Sequence, residues 1–283
     1  MPLVSILNEV RKAQANGYAI PLFDTFDMLS AQGIFAALVR KQAPGIVAVY
    51  SNVLDRPNSR AFVEFLRIMA AEAAVPVSIM LDHGASFEQC VKALSYGFTD
   101  VMYDGSSLSL EENITATSMV VRAAHAVGAA VEAELGHVGE GHTYQAFGAK
   151  GEGFTDPDTV ERFIKETGVD LLAIAIGTAH GQYVGEPKIS LDLLAKIRER
   201  VDIPLVLHGG SGLTDEQFKA SISKGISKIN IFTDLSLEAK RRIIQTAKTD
   251  GASYFDLMAQ IRPAFRDRCE YYLDVFGATG KAD

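Results

Sequence analysis

Asp82 and His83 stand side by side in MLDHGAS, where the apolar run VPVSIML gives way to polar residues. A carboxyl group beside an imidazole can move protons and hold a metal; in the bland alternative the pair turns a corner and meets water. Two more histidines take a similar place, His180 after LLAIAIG and His208 in IPLVLHG. Each alone is more commonly a hydrogen-bonded loop residue. Half of the chain's six histidines at the ends of apolar segments nonetheless favours convergence. Three imidazoles with an open fourth position compose a catalytic zinc site. His125 lies inside a helical run without a role, and His137 and His142 in a Gly-rich loop read as exposed.

An anion site is written next to these residues. HGGSG, 208–212, and NIFTD, 230–234, each follow an apolar segment. Glycines let the backbone approach closely, and successive N–H groups form an anion nest. Ser211 and Thr233 add hydroxyl donors, and a helix expected from about Leu213 would point its positive end at an anion. Most Gly pairs are mere turns, but two such loops in tandem match the phosphate site after strands seven and eight of an α/β barrel. A metal beside a phosphate cradle implies a phosphorylated carbonyl substrate. The metal polarises a ketone or holds an enediolate, and Asp82 moves a proton on the neighbouring carbon. Breaking a carbon–carbon bond beside a ketone requires that arrangement.

Positioning these groups falls to eight short apolar segments: YAIPLF, GIVAVY, VPVSIML, DVMYD, AAVEAEL, LLAIAIG, IPLVLHG and SKINIF. They are β-branched and mostly lack alternation, as parallel strands buried on both faces do. Helical stretches such as SRAFVEFLRIMAAEAA separate them. The expected fold is α/β, a (β/α)8 TIM barrel in one domain over 1–283 with extra N- and C-terminal helices; a doubly wound open sheet is the alternative. The strand ends then present Asp24, Ser51, Asp82 with His83, Asp104, Glu134, His180, His208 and Asn230, a polar residue on all eight. Asp27 reads as a cap for a helix near Met28, and Glu132 as an ion-pairing or catalytic acid. Leu3, Ile6, Leu7 and Val10 predict an N-terminal amphipathic helix. Tyr254, Met258, Ile261, Phe265 and Tyr272 predict one C-terminal stripe packed on the barrel or a sister subunit. A loop over about 137–153 has the length of a functional lid.

Composition bounds the partners. The 283 residues are 48% hydrophobic and 22% charged, with a net charge of −8 and no long Lys or Arg run. Nucleic acid and anionic membrane are therefore not expected partners. Two cysteines and no signal-peptide pattern predict a cytoplasmic protein.

With these residues in hand, the chain resembles the class II, metal-dependent ketose-bisphosphate aldolases of the fructose and tagatose type. The likeness runs through LDHG (81–84), VMYDGSSL (101–108), VEAELGHVG (131–139), AIGTAHGQY (175–183), PLVLHGGSGL (204–213) and KINIFTD (228–234). It implies a homodimeric or homotetrameric lyase that makes dihydroxyacetone phosphate and an aldehyde through a zinc-stabilised enediolate. By resemblance His83, His180 and His208 bind Zn2+, with Asp104 and Glu134 near the metal, and Asp82 acts at the C4 hydroxyl. Gly181, Gly209, Ser211, Asn230 and Thr233 match contacts to the C1 phosphate and ketone end, beside a monovalent cation, Na+ or K+. Glu140 and His142 both match the proton-transferring position of the mobile loop.

The departures concern the aldehyde half. The family's Phe-Asn after strand one is Phe23-Asp24 here, Phe232 replaces an Asp or small residue, and Val184 stands where fructose-type members carry Lys. A large ring and an extra carboxyl disfavour a second phosphate. Arg56 and Arg60 remain as distal cations, more commonly solvated. Two rivals stand beside the aldolase, a sugar-phosphate epimerase or isomerase on the same barrel and a non-catalytic binding relative.

Overall fold

Strands that are apolar along their whole length must be covered on both faces. In the computed structural model, which describes residues 2–143 and 153–282, eight of them close into a parallel barrel. The strands in chain order are β1 (Ile20–Asp24), β2 (Gly45–Tyr50), β3 (Val77–Gly84), β4 (Asp100–Tyr103), β5 (Ala130–Leu135), β6 (Gly139–Glu140), β7 (Leu171–Ile174), β8 (Ala179–His180), β9 (Leu205–Leu207) and β10 (Ile226–Ile231). The barrel runs β1-β10-β9-β7-β5-β4-β3-β2 and closes through the β1–β2 pair. β6 and β8 form a separate two-stranded parallel sheet. The predicted α/β TIM barrel is therefore the observed fold.

Helix caps agree with the local sequence. Asp27 accepts hydrogen bonds from the Leu29 and Ser30 amides and starts the helix Met28–Arg40. Ser109 with Glu112, and Thr214 with Gln217, form reciprocal capping boxes. Gly33 lies against the C-terminal helix Ile261–Val275, where an added Cβ would come within 2.8 Å of the Phe265 Cβ. Among the described residues no helix is long and apolar enough to cross a membrane.

Several expectations need correction. The N-terminal helix begins only at Leu7; Leu3 instead bridges to Val77 beside β3. The C-terminal stripe is broken between Tyr254–Met258 and Ile261–Val275, and Tyr254 is two-thirds exposed, so only the second helix buries its apolar face. The helix expected from Leu213 begins at Asp215, because the capping box sits on Thr214. β7, the sixth strand of the barrel in chain order, ends on apolar Ile174, and His180 follows on the small extra sheet rather than at a barrel strand end.

The N-terminal end of the barrel is closed by a carboxylate. Asp100 is buried and accepts hydrogen bonds from Ser5 Oγ, Ser78 Oγ and the Ile6 and Ala130 amides. It thus ties the chain's start to β3, β4 and β5. Asp100→Ala should lower unfolding free energy by on the order of 3 kcal/mol, since it strands several buried donors at once. Chemical denaturation measures this, and an unchanged midpoint would remove Asp100 as the anchor.

Candidate active site

In a regular strand Asp82 and His83 would point to opposite faces. His83 instead has φ +50°, and the β3–β4 register shifts between Leu81 and Gly84. This left-handed kink lets both side chains line one cavity of about 350 Å³ at the C-terminal mouth of the barrel. Gly84 permits it: a Cβ there would lie 2.7 Å from the Met102 carbonyl oxygen and 2.8 Å from Cys90 Sγ.

Three imidazoles meet at this cavity, His83 and His180 in its lining and His208 fully buried beside them. His83 and His180 ring centroids lie 4.8 Å apart, as do those of His83 and His208, and each residue can offer a nitrogen within 4.8 Å of the others. His83, Asp104 and Glu134 form a second overlapping group. His180 is brought in by the β6–β8 pair, and Tyr183 steadies it by accepting from the Ala179 amide at 2.8 Å and donating to the Gly209 carbonyl at 2.7 Å. The His180 Nε2 atom is buried without a hydrogen-bond partner, as is Glu134 Oε2. Each is a buried lone pair of the kind a bound cation satisfies, His180 in the three-imidazole group and Glu134 in the group with His83 and Asp104.

Charge tunes each group. Burial by itself depresses His83, but Asp82, Asp104 and Glu134 lift it to about 10. Burial resists ionisation of Asp104, yet the His83 hydrogen bond at 2.7 Å and the Ser106 contacts hold it well below the usual carboxylate range. Burial, and after it the neighbouring His83 and His208 rings, push His180 far down, which keeps its lone pair available. Burial, followed by the Asp104 charge, raises Glu134. Burial and the Asp82 charge push Asp24 well above its ordinary value.

Beneath the imidazoles runs a network that sequence reasoning only half located. His208 Nε2 lies 2.8 Å from Glu132 Oε1, and Glu132 Oε2 lies 2.8 Å from Lys228 Nζ. Lys228 donates to Asn230 Oδ1 at 2.7 Å, and Asn230 Nδ2 donates to Asp82 Oδ1 at 3.0 Å. Burial opposes its charge, but Lys228 and His208 hold the Glu132 carboxyl down at about 2. Ion pairing is thus the arrangement Glu132 adopts. Lys228 was missed, although its spacing of two from Asn230, like that of Glu132 from Glu134, marks one shared strand face.

Gly181, Gly209, Ser211, Asn230 and Thr233 all line the same cavity. Gly209 has φ +65°, and a Cβ would run into the Ala179 carbonyl. The helix whose N-terminus opens here is Thr233–Ala247, directly after β10, not the one after Thr214. Asp24 and Glu140 also line the cavity. Ser51 does not: it starts the short helix Ser51–Leu54, its carbonyl accepts from Gln89 Nε2, and its neighbours Tyr50 and Asn52 face the cavity instead. His142 sits exposed on the turn Gly141–Thr143, outside the lining. The rest of the expected lid, 144–152, lies outside the described residues. Phe26 and Phe232 form a ring pair at 4.6 Å on the cavity wall, and the Arg56 guanidinium rests over Phe26 at 5.7 Å. Arg60 is turned away, over Tyr96. His125 pairs with Asp170.

Residues 4–281 match the profile of the family described as fructose-bisphosphate aldolase class-II. The chain belongs to that family. Relatives match along nearly the whole chain: the fructose-bisphosphate aldolase of Thermus caldophilus is 37% identical over 306 residues, covering 99% of this chain and all of the relative. The 6-phospho-5-dehydro-2-deoxy-D-gluconate aldolase of Halalkalibacterium halodurans is 35% identical over 288 residues, covering 100% of this chain and 99% of its own. The crystal structure of the YdjI aldolase from Escherichia coli K12 superposes with a TM-score of 0.89 at 32% identity, covering 99% of this chain and all of that one.

In this family member Lys228→Met leaves Glu132, the hydrogen-bond partner of His208, buried without its cation. Metal affinity should fall roughly 10- to 100-fold, as it does when a partner of a ligating histidine is lost. The double variant Glu132→Gln with Lys228→Met should recover part of it. Competition against a chelator reads both, and unaltered competition by Lys228→Met would mean the network does not support the imidazoles.

Proposed function

We propose that the chain is a zinc-dependent aldolase that cleaves a phosphorylated ketose reversibly to dihydroxyacetone phosphate and an aldehyde. The observation that carries this reading is that one cavity is lined by Asp82, His83, His180 and the Gly-Ser-Thr turns, with His208 completing the three-imidazole group behind it. His83, His180 and His208 would hold the ion, and the orphaned His180 Nε2 fits that assignment. A bound divalent ion supplies Lewis acidity at a ketone oxygen.

The chain's own groups do the rest. Gly181, Gly209, Ser211, Asn230 and Thr233 hold the C1 phosphate and the adjoining oxygens. Asp82, oriented by Asn230, takes the proton of the C4 hydroxyl as the C3–C4 bond breaks; the electron pair stays with the three-carbon fragment. Glu140 returns a proton to C3 of that fragment, and its place in the lining favours it over exposed His142. The epimerase reading loses support because the relatives are named aldolases.

Those relatives are named for different substrates, so identity at this level does not choose one. The walls do suggest a class. Phe26, Phe232 and Asp24 line the cavity, and no Lys or Arg is among its described lining residues. An unphosphorylated aldehyde half suits this wall better than a dianion, which two rings and a carboxyl reluctant to ionise would leave unpaired.

Zinc-loaded protein should release dihydroxyacetone phosphate from ketose 1-phosphates at least about tenfold more efficiently than from 1,6-bisphosphates, in line with discrimination by unpaired charge. A coupled reductase assay reads this, and a preferred bisphosphate would overturn the assignment of the aldehyde half. Asp82→Asn should lower kcat by roughly a thousandfold and Glu140→Gln by about a hundredfold with zinc content unchanged, while His142→Ala stays within about twofold. Full turnover by Asp82→Asn would remove Asp82 from the chemistry.

A further inference from the structure

The first turn of the helix Thr233–Ala247 carries a fixed negative charge where the anion cradle opens. Thr233 lines the main cavity, and Asp234 is the next residue. The Asp234 amide donates to Ser211 Oγ at 3.2 Å, so its backbone is stitched into the Gly209–Ser211 turn. Asp234 also borders, with Gly181, Ser211 and Thr233, a smaller cavity on the outer side of the cradle. An acid in the first turn ordinarily suits the helix dipole. Here it competes with any phosphate that the same N-terminus is to hold, because two anions would share one set of N–H groups.

The C-terminal helix Ile261–Val275 answers that charge. Arg268 donates from Nε at 2.7 Å and from a second nitrogen to Asp234 Oδ2, and the Tyr272 hydroxyl donates to the same oxygen at 2.8 Å. Arg268 is itself clamped by rings, its guanidinium 4.4 Å from the Tyr271 centroid and 5.2 Å from that of Tyr272. The two side chains are 31% and 30% exposed. A pair that open to water contributes little to folding. Its geometry is nevertheless held by three further groups, Ser211, Tyr271 and Tyr272, which points to a purpose other than stability.

We propose that Arg268 is a positioning residue for the phosphate cradle, holding Asp234 and cancelling its charge so that the turns at Gly209–Ser211 and Thr233 accept a phosphate dianion. The inference rests on the reading of those turns as the phosphate site. Arg268 touches no reacting atom. It acts through Asp234, from an element that the sequence places 34 residues further along the chain.

The test uses full-length, zinc-loaded protein and glycerol 3-phosphate as the probe, with affinity measured by calorimetry at low and high salt. Arg268→Met should bind roughly tenfold more weakly at low salt, the scale expected for one uncancelled charge near a dianion, and less so as salt screens it. Its KM for a ketose phosphate should rise with kcat kept. Asp234→Asn should bind at least as tightly as the parent protein, and the double variant should return to within about threefold of it, because no charge then needs cancelling. A brace without electrostatic purpose predicts the reverse: both Asp234→Asn and the double variant would be as weak as Arg268→Met. That result, or an Arg268→Met protein that binds like the parent, overturns the proposal while leaving the cradle in place. Should Arg268→Met fold poorly, Asp234→Asn alone decides, by tightening or weakening. A parent protein that binds no glycerol 3-phosphate removes the cradle itself, and the proposal with it.

Discussion

An ammonium group buried to zero exposure must be answered by fixed charges, since water cannot reach it. Lys228 is in that position inside the barrel, between Glu132 and Asn230. From Glu132 the contacts pass to His208 and then His83, and from Asn230 they pass to Asp82. The Asp82 carboxyl and two of the three imidazoles are thus connected to one buried cation. A side chain that seems only structural sets the direction of the groups at the mouth.

That single permanent cation is outnumbered. Asp24, Asp82, Asp104, Glu132 and Glu134 are gathered around it and the imidazoles. The excess negative charge explains why His83 holds a proton so firmly and why burial leaves Asp24 and Glu134 reluctant to ionise. It also makes the cavity hospitable to a divalent cation. An acidic chain of net charge −8 must then bind a phosphate without its overall field. The backbone at Gly209–Ser211 and the start of the helix at Thr233 line the cavity and carry no formal charge to neutralise the acids.

Precision comes from backbone features more than from side-chain type. The left-handed φ of His83 places two adjacent side chains in one space, which regular strand geometry forbids. Such a conformation costs about 1–3 kcal/mol and persists only when its surroundings enforce it. Gly84 against Met102 and Cys90, and the His83–Asp104 contact, supply that enforcement. Tyr183 does the corresponding work for His180, joining the small β6–β8 sheet to the turn after β9.

The strands, their parallel closure and the gathering of Asp82, His83, His180 and His208 were legible in the sequence, because unbroken β-branched runs demand two-sided cover and ionisable groups cluster where those runs end. So were local caps such as Asp27, whose partners lie two and three residues away. What lay beyond reading were contacts between distant segments. Lys228 looks like any strand-edge lysine until barrel closure sets it opposite Glu132, and Ser51 looks like a strand end until a four-residue helix turns it aside. His180 belongs to no barrel strand, and Glu140 is separated from His142 only by which of them the turn points inward. Sequence determines which chemistry is available through periodicity and composition, which are local. Tertiary structure decides which atoms meet, because a shift of one residue in register or one positive φ reverses the direction of a side chain.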